Sequence, residues 1–138
     1  MAEGLMKDAL KGLGREDIKV NSAGVSAIDG FYPTHETIEA MKNNGTDVSG
    51  ARSRYLTNDM IKDSDLILVM ASHHMSDIIK RVPQAASKTH ILKRYGRTDN
   101  SNACEDPDVS DPIGKPMKVY ERTLDEIKRE VNRIAKLL

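Results

Sequence analysis

Seven residues, Asp65-Leu66-Ile67-Leu68-Val69-Met70-Ala71, constrain the fold more than any other stretch of this chain. After the aspartate every position is apolar. A strand half-exposed to water alternates apolar and polar residues. An uninterrupted run belongs to a strand covered on both faces, as in a parallel sheet with helices on either side. Ser72 follows directly and is the expected N-cap of a helix carrying Met75, Ile78, Ile79 and Val82, which Pro83 ends.

The flanking segments fit the same architecture. Leu5, Ala9 and Leu13 recur at helical spacing, so Met1 to about Gly12 is expected to be a helix. Ile18–Val25 is an expected strand, and Thr89–Leu92 another. Thr34 is the expected N-cap of a helix that stops at Asn43-Asn44-Gly45, and Thr57 caps a shorter one through Ile61 and Lys62. The last helix is the most regular: Tyr120, Leu124, Ile127, Val131, Ile134 and Leu138 form one apolar stripe on a charged helix. Tyr95 to Pro116 is polar, holds Gly96, Pro107, Pro112 and Gly114, and reads as a long functional loop. Alternating strands and helices predict a single α/β domain over 1–138, three-layered, with a parallel sheet flanked by helices.

Composition narrows the partners. Lys+Arg and Asp+Glu both number 21, so no net field draws the chain to nucleic acid or to an anionic membrane. No apolar run approaches a membrane span and no signal-peptide pattern is present. Cys104 is the only cysteine, which rules out an intrachain disulfide and suits a reducing compartment, so a cytoplasmic location is expected.

Few residues offer chemistry unaided. Asp111-Pro112 and Asp106-Pro107 each read as turn starts. Asp106, Asp108 and Ser110 imitate the start of a calcium loop, but the sixth position is Asp111 and the twelfth Met117, so the pattern fails. His73 and His74 open a helix without a matching ligand cluster, and no metal or other cofactor is expected. Cys104 is a poor nucleophile: Glu105, Asp106 and Asp108 oppose its ionisation, and no arginine follows before Arg122.

The order of four stretches is more specific than any one of them. Met1-Ala2-Glu3-Gly4-Leu5, Asn21-Ser22-Ala23-Gly24-Val25, the run Asp65–Met70 followed by Ser72-His73-His74, and Asp111-Pro112-Ile113-Gly114 ahead of Tyr120 and a long helix succeed one another across nearly the whole chain. In that order they resemble the bacterial low-molecular-weight protein-tyrosine-phosphatase family, and in particular its protein-arginine-phosphatase branch.

The resemblance implies a phosphotyrosine protein phosphatase I-like fold and hydrolysis of a phosphorylated protein or small phosphoester through a phosphocysteine. It implies that Asp111 is the general acid and base, protonating the leaving group and then activating water. Ser22 matches the serine that braces the phosphate loop, although a strand-end turn residue fits the position equally well. Phe31 and Tyr32 fall in the loop that walls the substrate pocket, or pack locally. Arg52 and Arg54 match a pair after the second helix that also reads as surface charge. Tyrosine-specific members place aromatics directly after Asp-Pro. Ile113-Gly114 stands there instead, as in the arginine phosphatases.

The family's C-x5-R loop and the strand before it are not among the 138 residues. The resemblance therefore implies a sheet with a gap between Ile18–Val25 and Asp65–Ala71. It also leaves open a non-catalytic, phosphatase-like binding domain. Arsenate reductase shares the fold but needs further cysteines.

Overall fold

A computed structural model describes residues 1–98 and 106–138. Its elements are α1 (Ala2–Gly12), α2 (His35–Asn43), α3 (Asn58–Asp63), β1 (Ile67–Val69), α4 (Ser72–Arg81), β2 (Thr89–Ile91) and α5 (Met117–Ala135), with a 3-10 turn over Pro83–Lys88 before β2. Cys104 and Glu105 lie outside the described residues.

β1 and β2 pair in parallel, with Ile67 opposite Thr89, Leu68 opposite His90 and Val69 opposite Ile91. Their side chains enter two different cores, which accounts for the uninterrupted apolar run. Val69 and Ile91 join Ile61, Ile78, Val82 and Ala85 on the α3–α4 side. Leu68 and Met70 pack on the other cluster, where Leu5, Met6 and Leu10 of α1 meet Tyr120, Leu124, Ile127, Val131 and Ile134 of α5. Helices, sheet and helices make three layers.

Local chemistry sets most boundaries. The Thr34 hydroxyl accepts the Thr37 N–H at 3.2 Å and starts α2. Gly45, at φ 88, turns the chain out of it into a left-handed conformation costly for other residues. Thr57 accepts the Met60 N–H at 3.2 Å and starts α3.

Two expectations need correction. Ile18–Val25 is not a strand. Ile18 and Val20 are half-buried against the α1–α5 core while Lys19 and Asn21 are exposed, so the strand-like alternation survives. The ladder does not. Only Gly24 bridges, in parallel with Tyr55: its N–H donates to the Arg54 carbonyl at 2.9 Å and its carbonyl accepts the Leu56 N–H at 3.0 Å. An extended segment becomes a strand only when a neighbour supplies donors and acceptors, and among the described residues none does so for 18–23. Ser72, for its part, does not cap α4. It is the first helical residue, the N-cap position is Ala71, and Ala71 has no side-chain oxygen to offer.

Candidate active site

α1 and α5 run side by side in the same direction. Arg15, just beyond α1, donates to the carbonyl of Leu138 at the far end of α5, so both N-termini point to the opposite end. α5 begins at Met117, six residues after Asp111. The Asp111 loop is tied to the carboxyl end of β1, because the Val109 N–H donates to the Met70 carbonyl at 2.7 Å. In open α/β folds ligands bind at the carboxyl ends of parallel strands, against helix N-termini.

At the start of α1, Glu3 gathers three polar partners. The Lys7 ammonium pairs with it at 2.6 Å, the Ser22 hydroxyl donates to it, and the charge of Arg54 reaches it. Burial pushes the Glu3 carboxyl up, but the Lys7 and Ser22 hydrogen bonds with the Lys7 and Arg54 charges outweigh it, and the net direction is down. Glu3 thus stays ionised. No side chain caps α1.

At the start of α4 the missing cap arrives from 36 residues away. One Asp108 carboxylate oxygen accepts the Ser72 N–H at 2.8 Å and the Ser72 hydroxyl at 3.0 Å. The Ser72 N–H is the main influence holding the Asp108 carboxyl below its usual range. Some desolvation opposes it, and the Ser72 hydroxyl and the charges of His73 and His74 assist. Lys93 donates to the Asp108 carbonyl at 2.7 Å and the Asp106 carbonyl at 3.2 Å, and pairs with Glu126 of α5.

Asp111 stands three residues beyond this anchorage, so it lies within about 11 Å of Asp108. Its side chain is exposed. One oxygen accepts the Ile113 N–H at 3.0 Å in a local turn, leaving the other to face solvent. The His74 ring lies close enough to feel the charge of Asp111. Burial and the neighbouring His73, at 4.2 Å between ring centres, lower the His74 pKa, against the pull of Asp108, Asp111 and Asp77.

Phe31 and Tyr32 are 61% and 67% exposed, and the loop that bears them is firmly held. The Ser53 N–H donates to the Phe31 carbonyl at 2.8 Å, the Gly30 N–H to the Ser53 carbonyl at 2.9 Å, and the Tyr55 N–H to the Asp29 carboxylate at 2.7 Å. The Arg52 guanidinium covers the Tyr32 ring at 3.4 Å from its centre, so that face of the ring is occupied. Arg52 is therefore part of this loop's surface.

The structure thus joins Ser22 to the start of α1, Phe31 to Ser53 and Tyr32 to Arg52. Among the described residues no hydrogen bond or ion pair links Asp111 to either group. Two concavities lie elsewhere, one of about 440 Å³ beside Tyr55 and Arg81, the other of about 390 Å³ beside His90 and Arg94. No group of three or more metal-ligating side chains exists among the described residues. Sequence reasoning missed Glu3 and Asp108. Ser22 and Ser72, which they bind, are 19 and 36 residues distant; the local signs were the Glu3–Lys7 spacing and an alanine where α4 needs a cap.

The model of the family described as low molecular weight phosphotyrosine protein phosphatase matches residues 1–138. A probable low molecular weight protein-tyrosine-phosphatase, EpsP, of Ralstonia solanacearum is 34% identical over 96% of this chain and 81% of its own length. An arsenate reductase of Staphylococcus aureus is 34% identical over 93% of this chain and 79% of its own. Among solved structures, a mutant of the YwlE arginine phosphatase with a phosphorylated active-site serine superposes with a TM-score of 0.88 at 28% identity, over 99% of this chain and 85% of that one. The sequence match and the shared architecture agree: the chain belongs to the low molecular weight phosphotyrosine protein phosphatase family.

Proposed function

We propose that this chain carries the acid–base half of a phosphoryl-protein hydrolysis, with Asp111 as the group that moves protons. The carrying observation is the exposed Asp111 carboxyl on a short arm anchored at the carboxyl end of β1. In the first step a cysteine thiolate attacks phosphorus, the bond to the leaving group breaks, and protonated Asp111 delivers its proton to that group. In the second, ionised Asp111 takes a proton from water as the water displaces the phosphocysteine, and inorganic phosphate leaves. The thiolate and its arginine clamp belong to the family's C-x5-R loop, which is not among these 138 residues. Ser22, with Glu3, braces the place where that loop meets α1.

Phosphoarginine is the substrate this reading favours over phosphotyrosine. Ile113, 64% exposed, replaces the aromatic that would sandwich a phosphotyrosine ring, and the YwlE relative is named an arginine phosphatase. A guanidine leaves phosphorus only when protonated, so a positioned acid matters more for a P–N bond than for an aryl ester. The EpsP name favours phosphotyrosine instead. Arsenate reduction needs cysteines to resolve an oxidised nucleophile, and Cys104 stands alone.

The test uses the chain with a family-type strand and C-x5-R loop joined ahead of Met1. Asp111→Asn is expected to lower turnover of phosphoarginine or an alkyl phosphate by a factor of about 10² or more. Unchanged turnover of these poor leaving groups would remove Asp111 from the mechanism.

A further inference from the structure

Asp108 does more than stabilise a helix. Between Asp106 and Val109 the chain is fastened to three elements at once. The Asp108 carboxylate receives the N–H and hydroxyl of Ser72 at the start of α4. The Val109 N–H donates to Met70 at the end of β1, and the Val109 side chain is buried in the α1–α5 core. Lys93, beyond β2, holds the Asp106 and Asp108 carbonyls and pairs with α5. The Asp108 N–H closes the set on the Asp106 carboxylate at 3.0 Å. Past Val109 the loop is tied down far less. Among the described residues the Asp111 carboxylate accepts a hydrogen bond within its own turn, from the Ile113 N–H, and Ile113 is exposed.

We propose that Asp108 is the positioning residue for Asp111, the fixed base of the three-residue arm that aims the acid at the carboxyl end of β1; this rests on the reading of Asp111 as the proton-transferring group. The Val109 and Lys93 fastenings do not use the Asp108 side chain. Among the described residues the Asp108 side chain is what hydrogen-bonds the start of α4, whose own N-cap residue, Ala71, offers none. Its loss lets the base of the arm lift from Ser72, and the acid spends less time in line with the leaving group. A displaced acid costs rate without costing affinity, because binding depends on the phosphate and not on the proton donor.

The first measurement uses the 138-residue chain. Amide exchange at Ser72 and Val109 is expected to rise about tenfold in Asp108→Ala while α5 amides keep their protection. Asp108→Asn retains an oxygen for Ser72 and is expected to stay within about threefold of the parent chain. Unchanged exchange in Asp108→Ala contradicts the proposal. Should Asp108→Ala unfold the chain, Asp108→Asn decides: fast exchange at Ser72 with α5 still protected overturns it.

The second measurement uses the chain restored with strand and C-x5-R loop. Asp108→Ala is expected to lower kcat on an alkyl phosphate about tenfold, leave KM in place and leave p-nitrophenyl phosphate turnover within about twofold, with Asp108→Asn recovering most of the loss. A merely stabilising residue would affect both leaving groups alike. If Asp111→Asn slows the alkyl phosphate but Asp108→Ala does not, the positioning role is wrong while the reading of Asp111 stands. If Asp111→Asn has no effect, that reading itself fails.

Discussion

His74 sits at the start of α4 among four charged or chargeable neighbours: His73, Asp77, Asp108 and Asp111. Burial, with His73, lowers its pKa below the ordinary 6.5. The folded state therefore binds this proton less readily than the unfolded chain. Its contribution is complete above pH 6.5 and is lost as pH falls towards the lower folded-state value. The effect is small because the ring is partly solvated. His74→Gln is expected to flatten the decline of the urea midpoint between about pH 7.5 and 5.5, and an unaltered slope would assign that decline elsewhere. Asp108 acts in the opposite range. Its folded pKa is depressed by Ser72, so the stabilisation it gives is full above the ordinary 3.8 and disappears as pH falls through the folded value. Asp108→Asn is expected to remove that acid limb. None of this was legible from sequence. His73-His74 and Asp106–Ser110 were visible as chemical groups, but nothing in their spacing announces that a loop carboxylate caps a helix 36 residues earlier.

At the scale of elements, α5 carries the largest share of the core. Ile134 is fully buried, at 0% exposure, while Leu137, one turn on, is 53% exposed. Ile134→Ala is expected to cost about 2–5 kcal/mol in denaturant unfolding, and Leu137→Ala no more than about 0.5 kcal/mol. Glu130 is the buried charged residue of this helix. It is 5% exposed and lies between Arg97, at 3.0 Å, and Arg133, at 2.8 Å. Arg133 in turn holds the Tyr95 carbonyl at 2.6 Å and the Leu92 carbonyl at 3.2 Å. Glu130→Ala removes the carboxylate shared by two guanidinium groups that keep only carbonyl acceptors and solvent, and is expected to cost about 1–3 kcal/mol, more than removing any exposed carboxylate of the same helix. The apolar stripe of α5, the Thr34 and Thr57 caps and the β1 run were all readable, because each depends on residues near in sequence. Ile18 and Val20 alternate with polar Lys19 and Asn21, yet Ile18–Val25 failed as a strand, because a ladder needs a neighbour that no local pattern can supply.

At the scale of the molecule, two cores back the two faces of a short parallel sheet, and the loop before Asp111 is fastened where β1 ends and α4 begins. Among the described residues no helix is long and apolar enough to cross a membrane. The central claim is that this scaffold does phosphatase chemistry only with a thiolate and an anion cradle placed ahead of α1. A proton donor by itself contributes a factor of about 10²–10⁴, and most of the rate enhancement comes from the covalent nucleophile and the preorganised cradle. The direct measurement is a comparison of p-nitrophenyl phosphate turnover by the 138 residues alone and by the same chain bearing a family-type strand and C-x5-R loop before Met1. The restored chain is expected to show a burst and steady turnover, abolished when the added cysteine is changed to serine, while the unextended chain shows none. Robust turnover by the unextended chain that survives Cys104→Ser, or a correctly folded restored chain without any burst, would contradict the account.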